Sequence, residues 1–296
     1  MPVLALLAAC GAGFLWGTGA LVVNLLVAQH GFTPENISFW RFAIGSVVLL
    51  GIFGKNIHWR LVQPVLGRLT IAGIAMAGYV LCWFLGIERM GAAVPTLIAL
   101  CLPPVLVTMV AVVRGQEIID RQLFSVLVAA IIGTILIVFQ HGEANTAAGF
   151  KNVVIGIAFS LVSAFLYAGF SMTSGRLSKV LGAGQSTTCL TVIATLVMAI
   201  FGLFRPLSWP VAVPPQAWFL YLGVVTAALA LLAFSWGAAK LSPTTLTVAT
   251  LLEPLTAVVL SAFILGAQMS HLQLLGGGLL MLSIWVLGKR ASTVDS

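Results

Sequence analysis

Long apolar runs separated by short polar connections make up nearly the whole chain. Ten of these runs are long enough to cross a bilayer as helices, since about 20 apolar residues span roughly 30 Å of hydrocarbon. They lack the strict alternation of a lipid-facing strand, which favours helices over a β-barrel. We predict transmembrane helices at Pro2–Ala28, Asn36–Gly54, Val65–Ile87, Gly91–Val113, Leu123–Phe139, Asn152–Gly175, Gln185–Phe204, Ala217–Ala239, Pro243–Leu265 and Leu272–Gly288.

The composition indicates a membrane environment. Hydrophobic residues make up 60% of the chain and charged residues 7%, and the mean hydropathy is +1.14, whereas soluble domains carry about 25% charged residues. The expected fold class is therefore an all-α integral membrane protein. The cysteines lie inside apolar runs without CxxC spacing, so we expect packing roles for them. They are Cys10, Cys82, Cys101 and Cys189.

Basic residues collect at alternate ends of the predicted helices. Of the 14 Lys and Arg residues, ten lie on one side of the predicted membrane, Arg89, Lys151 and Arg205 lie on the other, and Arg41 lies inside the second predicted helix. Because Lys and Arg accumulate in cytoplasmic loops, this distribution predicts cytoplasmic N- and C-termini. The formal net charge of +7 then reflects topology, so no nucleic-acid partner is inferred.

The second half of the chain repeats the first. At an offset of 150 residues, the matches are Gly73, Leu81 and Phe84 on Gly223, Leu231 and Phe234. The predicted units are residues 1–145 and 146–296, with five helices each. An odd number of helices inverts the second unit in the membrane, and inverted repeats are typical of secondary transporters with a midplane substrate site. Exchange of conformation between the units predicts alternating access.

Two stretches carry a family resemblance. "WRFAIGSVVLL" from Trp40 and "LLEPLTAVVLSAFILGAQMSHLQLLGGGLLMLSIWVLG" from Leu251, with the duplicated unit, resemble the EamA-type drug/metabolite transporter superfamily over essentially the whole chain. The resemblance implies a ten-helix exporter of small metabolites. The chain is similar to bacterial exporters of aromatic amino acids, which implies a place in a bacterial inner (plasma) membrane. Two positions depart from the family pattern. Pro103 stands where the second unit has Glu253, and Gln268 replaces an acid that the first unit keeps as Glu117.

Prolines occupy related positions in the fourth and ninth predicted helices. Pro103, Pro104 and Pro254 each remove a backbone donor and free the carbonyl four residues earlier. The freed carbonyls are those of Ala99, Leu100 and Thr250. At this depth a free carbonyl needs a protein partner or a wet cavity, so we predict that both helices break beside the transport pathway. A kink repaired by neighbouring helices is the alternative.

Polar residues of the ninth helix lie on one helical sector. Thr250, Glu253 and Thr256 recur every three residues, so they are expected to face protein rather than lipid. Two roles stay open for Glu253: exchange of a proton during transport, or a hydrogen bond to a hydroxyl or freed carbonyl in the gate. Arg41 lies about five residues inside the second helix, and its side chain is predicted to reach back to the lipid headgroups.

Several aromatic residues lie well inside the predicted helices rather than at their ends. They are Trp16, Tyr79, Trp83 and Tyr167. With the hydroxyls of Thr96 and Ser163 they predict a substrate cavity with aromatic walls, which suits an apolar or aromatic side chain. For each of these residues taken alone, helix packing is the alternative.

Other functional classes lack their sequence signatures. The chain has no GxxxxGK[ST] phosphate loop, its histidines lie apart at the ends of predicted helices, and no repeated filter loop is present. We expect a secondary active transporter, not an enzyme, that exports small metabolites, in particular aromatic or apolar amino acids, without metal or cofactor. The alternatives are a multidrug or toxic-cation exporter and a non-transporting membrane scaffold. We expect a monomer in the lipid bilayer, with an oligomer as the alternative.

Overall fold

A computed structural model describes residues 2–90, 93–138, 150–265 and 269–293, and the regular structure among them is helical. The α-helices are α1 (Pro2–His30), α2 (Pro34–Phe53), α3 (Trp59–Val62), α4 (Leu66–Met90), α5 (Ala93–Val113), α6 (Arg121–Val138), α7 (Phe150–Leu181), α8 (Ala183–Phe201), α9 (Pro215–Tyr221), α10 (Ala230–Ala238), α11 (Pro243–Thr250), α12 (Leu252–Leu265) and α13 (His271–Thr293). A π-helix at Leu222–Leu229 joins α9 to α10. Gln268 lies outside the described residues.

Nine helical stretches of the described chain are long and apolar enough to cross a membrane, and a tenth apolar helix, His271–Leu287, is shorter. They coincide with the ten predicted segments, so the all-α membrane class is confirmed. The largest difference in length is at α7, which continues to Leu181 beyond the predicted end at Gly175. Its last turns are helical because Leu177 and Leu181 are buried in the protein core.

The two proline-containing segments differ. Thr250 ends α11 and Leu252 begins α12, so the break predicted in the ninth segment is confirmed. The break predicted at Pro103 and Pro104 is wrong, because α5 runs through both prolines without interruption. A proline removes one donor, but its fixed φ is compatible with helical backbone. The sequence therefore predicted a break in both segments, and the structure has it in the ninth segment and not in the fourth.

The π-helix at Leu222–Leu229 has no counterpart among the sequence predictions. Here the backbone N–H of Ala230 donates to the carbonyl of Val225, five residues earlier rather than four. Such wide turns are rare and occur frequently at functional sites. This one packs against both α1 and α2.

The helix α1 packs closely against the break between α11 and α12. A Cβ atom placed on Gly13 would lie 2.9 Å from the carbonyl oxygen of Thr250, and one placed on Gly17 would lie 2.5 Å from that of Glu253. Small residues let two helix backbones approach this closely. Contacts of α4 with α7, α2 with α8 and α6 with α13 complete the bundle, and α1 fixes the position of the predicted site residues of the ninth segment.

Candidate functional site

A cavity of about 210 Å³ lies between α1, α2, α4, α5, α6, α7, α12 and the π-helix. Most of the site residues predicted from the sequence line it. These are Trp16, Tyr79, Trp83, Thr96, Ser163, Tyr167, Glu253 and Pro254. Five different membrane segments contribute them, so the fold assembles one site from residues that are far apart in the sequence.

Aromatic rings form one wall of the cavity. The rings of Tyr79 and Tyr167 meet edge to face with centroids 5.0 Å apart, and Trp16 packs on Phe234 at 5.4 Å. The Trp83 indole donates to the hydroxyl of Thr96 at 3.2 Å. Each ring is fixed on one side by a neighbour, which leaves an ordered apolar surface facing the cavity.

Hydroxyl groups hold the predicted residues in place. Ser163 donates to the carbonyl of Tyr79 at 2.8 Å, which ties α7 to α4. Thr250 is buried behind the cavity wall, where its hydroxyl donates to Thr247 O at 2.8 Å and bonds the Tyr167 hydroxyl at 3.0 Å. Thr250 is thus a support for Tyr167 rather than a lining residue.

The prolines of α5 lie outside the cavity, but the residues four positions earlier line it. Pro103 and Pro104 are absent from the lining, whereas Ala99 and Leu100 belong to it. Thr250, the third residue whose carbonyl was predicted to be freed, is outside the lining. The predicted role of Pro103 and Pro104 in the pathway therefore stays a prediction.

The position of the Arg41 side chain differs from the sequence prediction. Its side chain is only 8% exposed and lines the cavity, so the prediction that it reaches the lipid headgroups is wrong. The guanidinium donates to the carbonyl of Thr226 at 3.4 Å, and the Trp16 indole donates to the same carbonyl at 3.0 Å. Thr226 belongs to the π-helix, whose wide turn leaves this carbonyl available to two side-chain donors. The available signal for Arg41, and for Asn24, which also lines the cavity, was a polar residue within an apolar run.

Glu253 also faces the cavity. In the described part of the chain, Arg41 and Glu253 are the two charged side chains that line it. The structure shows neither an ion pair between them nor a hydrogen bond from the Glu253 carboxyl group to a described protein group. The hydroxyl partner predicted for Glu253 is therefore not seen in this conformation.

The cavity lies nearer one end of the bundle. We call the end that holds residues 31–33 the α1–α2 end, and the end that holds residues 114–120 the α5–α6 end. The cavity extends toward the α1–α2 end, where exposed Asn24 lines it.

At the α5–α6 end, the Thr108 and Thr244 hydroxyls are hydrogen-bonded to each other at 2.9 Å. The Glu117 carboxylate accepts from the Thr244 hydroxyl at 2.5 Å and from the Thr244 backbone N–H at 3.4 Å. These three residues, which we call the threonine seal, join α5 and the chain that follows it to α11.

We expect Trp16→Ala and Tyr79→Ala to alter the ranking of transported molecules more than the yield of folded protein. Both rings line the cavity, and one stacking contact is worth about 1 kcal/mol. Trp285, which is 55% exposed, provides the control Trp285→Ala. Uptake of a panel of amino acids, normalised to monodisperse protein, measures the effect. Loss of folded protein in both variants, with the ranking unchanged in the remainder, would assign the two rings to the core.

The fold and cavity together define a polytopic helical membrane protein with a small internal site. A model of the EamA-like transporter family matches residues 3–139 and again residues 154–289. The chain therefore belongs to the EamA-like transporter family, as the sequence motifs predicted. Membership makes it a multi-pass membrane transporter.

Individual relatives agree with this assignment. The chain is 25% identical over 285 residues to the uncharacterized transporter YwfM of Bacillus subtilis, which covers 93% of this chain and 90% of the relative. It is 23% identical over 258 residues to an uncharacterized transporter of Clostridium kluyveri, covering 85% and 82%. A protein of known crystal structure superposes with a TM-score of 0.81 at 19% identity, covering 97% of this chain and 98% of that one. That similarity supports the fold alone.

Proposed function

We propose that the chain is a secondary active transporter that exports aromatic or apolar amino acids across a bacterial inner membrane. The observation that carries this proposal is the cavity, which combines aromatic rings with a few polar groups. Its volume of about 210 Å³ is below the roughly 300–1,000 Å³ of pockets for drug-sized ligands. A cargo with the dimensions of an amino acid suits such a site.

The proposed mechanism is alternating access between two inverted five-helix units, residues 1–145 and 146–296, with both termini in the cytoplasm. One family match in each half and the uneven distribution of Lys and Arg support this topology. An inverted pair can exchange conformations and so move the opening from one membrane face to the other.

The position of the cavity is consistent with this mechanism. It extends toward the α1–α2 end, while the threonine seal joins α5 to α11 at the α5–α6 end. In the proposed topology the sealed end faces the cytoplasm. Cargo loading then requires the seal to open and the α1–α2 end to close.

A multidrug or toxic-cation exporter is the second candidate, because Glu253 places a carboxyl group in the cavity. In that candidate Glu253 exchanges a proton for the cationic cargo. Arg41 lines the same cavity, and its positive charge disfavours a cationic cargo by like-charge repulsion. Because the cavity carries both a positive and a negative side chain, we rank amino acids above cations as its cargo.

Uptake by everted membrane vesicles across a panel of labelled compounds tests these candidates together. We expect phenylalanine, tryptophan and leucine to be taken up above an empty-vector control, and lipophilic cations to be excluded. Uptake of the cations alone would support the second candidate. Uptake of nothing on the panel, by protein confirmed to be folded, would favour a non-transporting scaffold.

A further inference from the structure

Two opposite charges, Arg41 and Glu253, face one small cavity without forming an ion pair. Burying a charge without a partner is costly, so buried charges in proteins are normally paired and hydrogen-bonded. Arg41 lies on α2 and Glu253 on α12, and both line the cavity. Because no ion pair joins them, each retains binding capacity for something that lies between them.

Arg41 is under-satisfied by the protein. A guanidinium has five N–H donors. Among the described residues, the Arg41 guanidinium makes one long hydrogen bond of 3.4 Å to Thr226 O and lies 5.8 Å from the Phe42 ring centroid, and its buried Nε has no acceptor there. The side chain is more than nine-tenths buried, so lipid headgroups do not complete its coordination. The planar fork of an arginine matches a carboxylate in two parallel hydrogen bonds.

Glu253 is held in place by its backbone. Its carbonyl packs against Gly17 of α1, and it lies in the first turn of α12, directly after the break at Leu251. The side chain is partly exposed to the cavity, and no described protein group donates to it. A carboxylate in this position can accept hydrogen bonds from an ammonium group.

We propose that one zwitterionic cargo molecule is bound by both charged residues: Arg41 binds its carboxylate, and Glu253 binds its ammonium group. The apolar side chain of the cargo then lies against Trp16, Tyr79 and Trp83. The inference rests on the proposed function and adds which residues bind the two charged groups of the cargo. A zwitterion satisfies both charges at once. An anion leaves Glu253 without a partner, and a cation leaves Arg41 without one.

Three ligands that share a phenyl ring test the proposal. Phenylalanine carries both charged groups, phenethylamine lacks the carboxylate, and 3-phenylpropionate lacks the ammonium group. Dissociation constants are measured from ligand-induced thermal stabilisation of the purified full-length protein. For the wild type, we expect phenylalanine to bind at least about tenfold more tightly than either analogue, because hydrogen bonds between charged groups are the strong ones.

The two variants are expected to give a crossed pattern. In Arg41→Gln the advantage of phenylalanine over phenethylamine is lost and its advantage over 3-phenylpropionate remains. In Glu253→Gln the advantage over 3-phenylpropionate is lost and the one over phenethylamine remains. Exposed Arg60 and Glu88 give the controls Arg60→Gln and Glu88→Gln, which are expected to match the wild type. If Arg41 or Glu253 has a purely structural role, its replacement by Gln is expected to change the binding of all three ligands alike.

The alternative results are distinguishable. If the wild type takes up labelled phenylalanine but binds all three ligands equally, or if each variant weakens all three in proportion, the zwitterion site is wrong while the proposed function stands. If the wild type neither binds nor takes up any amino acid, the proposed function fails and the inference with it. Should Arg41→Gln not fold, Arg41→Lys replaces it. Lysine keeps a point charge without the fork, so a reduced preference for phenylalanine over phenethylamine supports the site, and an unchanged preference overturns it.

Discussion

Joining Thr108→Cys to Thr244→Cys by a disulfide is expected to stop transport almost completely, and a reducing agent is expected to restore it. The two hydroxyls are 2.9 Å apart, so cysteines at these positions lie within reach of each other. They belong to the threonine seal on α5 and α11, away from the cavity-lining residues. If transport requires the α5–α6 end to open, a covalent bond across the seal holds the protein in one state.

The experiment needs a background without the native thiols, and the described structure has all four cysteines free. The matched control is Ser178→Cys with Ser186→Cys, whose hydroxyls are 2.9 Å apart across the short connection from α7 to α8. That crosslink joins neighbouring ends of one helical hairpin and is expected to leave transport intact. Full transport by protein shown to be crosslinked at positions 108 and 244 would contradict opening at this end.

Gly17→Ala is expected to lower the stability of the folded protein and with it the activity. The new Cβ would lie 2.5 Å from the carbonyl oxygen of Glu253 and 2.6 Å from the Cβ of Thr256. Backbone and Cβ atoms cannot rotate away, so α1 must separate from α12. Overpacking of this kind typically costs about 1–3 kcal/mol, and here it also displaces the segment that carries Glu253.

Gly11→Ala is the matched control on the same helix, because nothing lies within 4 Å of a Cβ placed there. Alanine is favoured over glycine in a helix interior by about 0.5–1 kcal/mol, so this variant is expected to be as stable as the wild type or slightly more stable. Thermal unfolding followed by size-exclusion chromatography measures both proteins. Equal unfolding temperatures for Gly17→Ala and Gly11→Ala would contradict the close contact of α1 with α12.

The helices and most of the cavity-lining residues could be predicted from the sequence, because both depend on how deep a residue lies in the membrane. An apolar run of bilayer length has few alternatives to a helix, and Trp16 and Tyr167 were placed by their distance from the ends of such runs. Arg41 was misplaced because depth does not determine which way a side chain points around the helix axis. That direction depends on packing between helices distant in sequence, here on Thr226 and Trp16.

The shape of the helix backbone was less predictable. Pro103 and Pro254 look alike in the sequence, but only the second lies beside a break. At Leu222–Leu229 no proline or charged residue indicates a change of hydrogen bonding, and the residues are ordinary for a membrane helix. A single sequence shows that this segment is apolar, but it does not show how many residues each helical turn contains.

The π-helix makes the geometry of the cavity depend on the number of residues in this segment as well as on their identity. Bonding to the fifth preceding residue makes each turn wider than bonding to the fourth, so a π-helix takes up an extra residue within a helical segment. Deleting a single residue within Leu222–Leu229 would let the segment return to ordinary α-helix, while Pro215–Tyr221 and Ala230–Ala238 keep nearly the same relative orientation because the wide turns had absorbed that residue. The Thr226 carbonyl would then accept the backbone N–H four residues later, and would no longer be held open for Trp16 and Arg41. Family members whose alignments differ here by a one-residue gap are therefore expected to present different groups to their cargo, even where the flanking residues are the same.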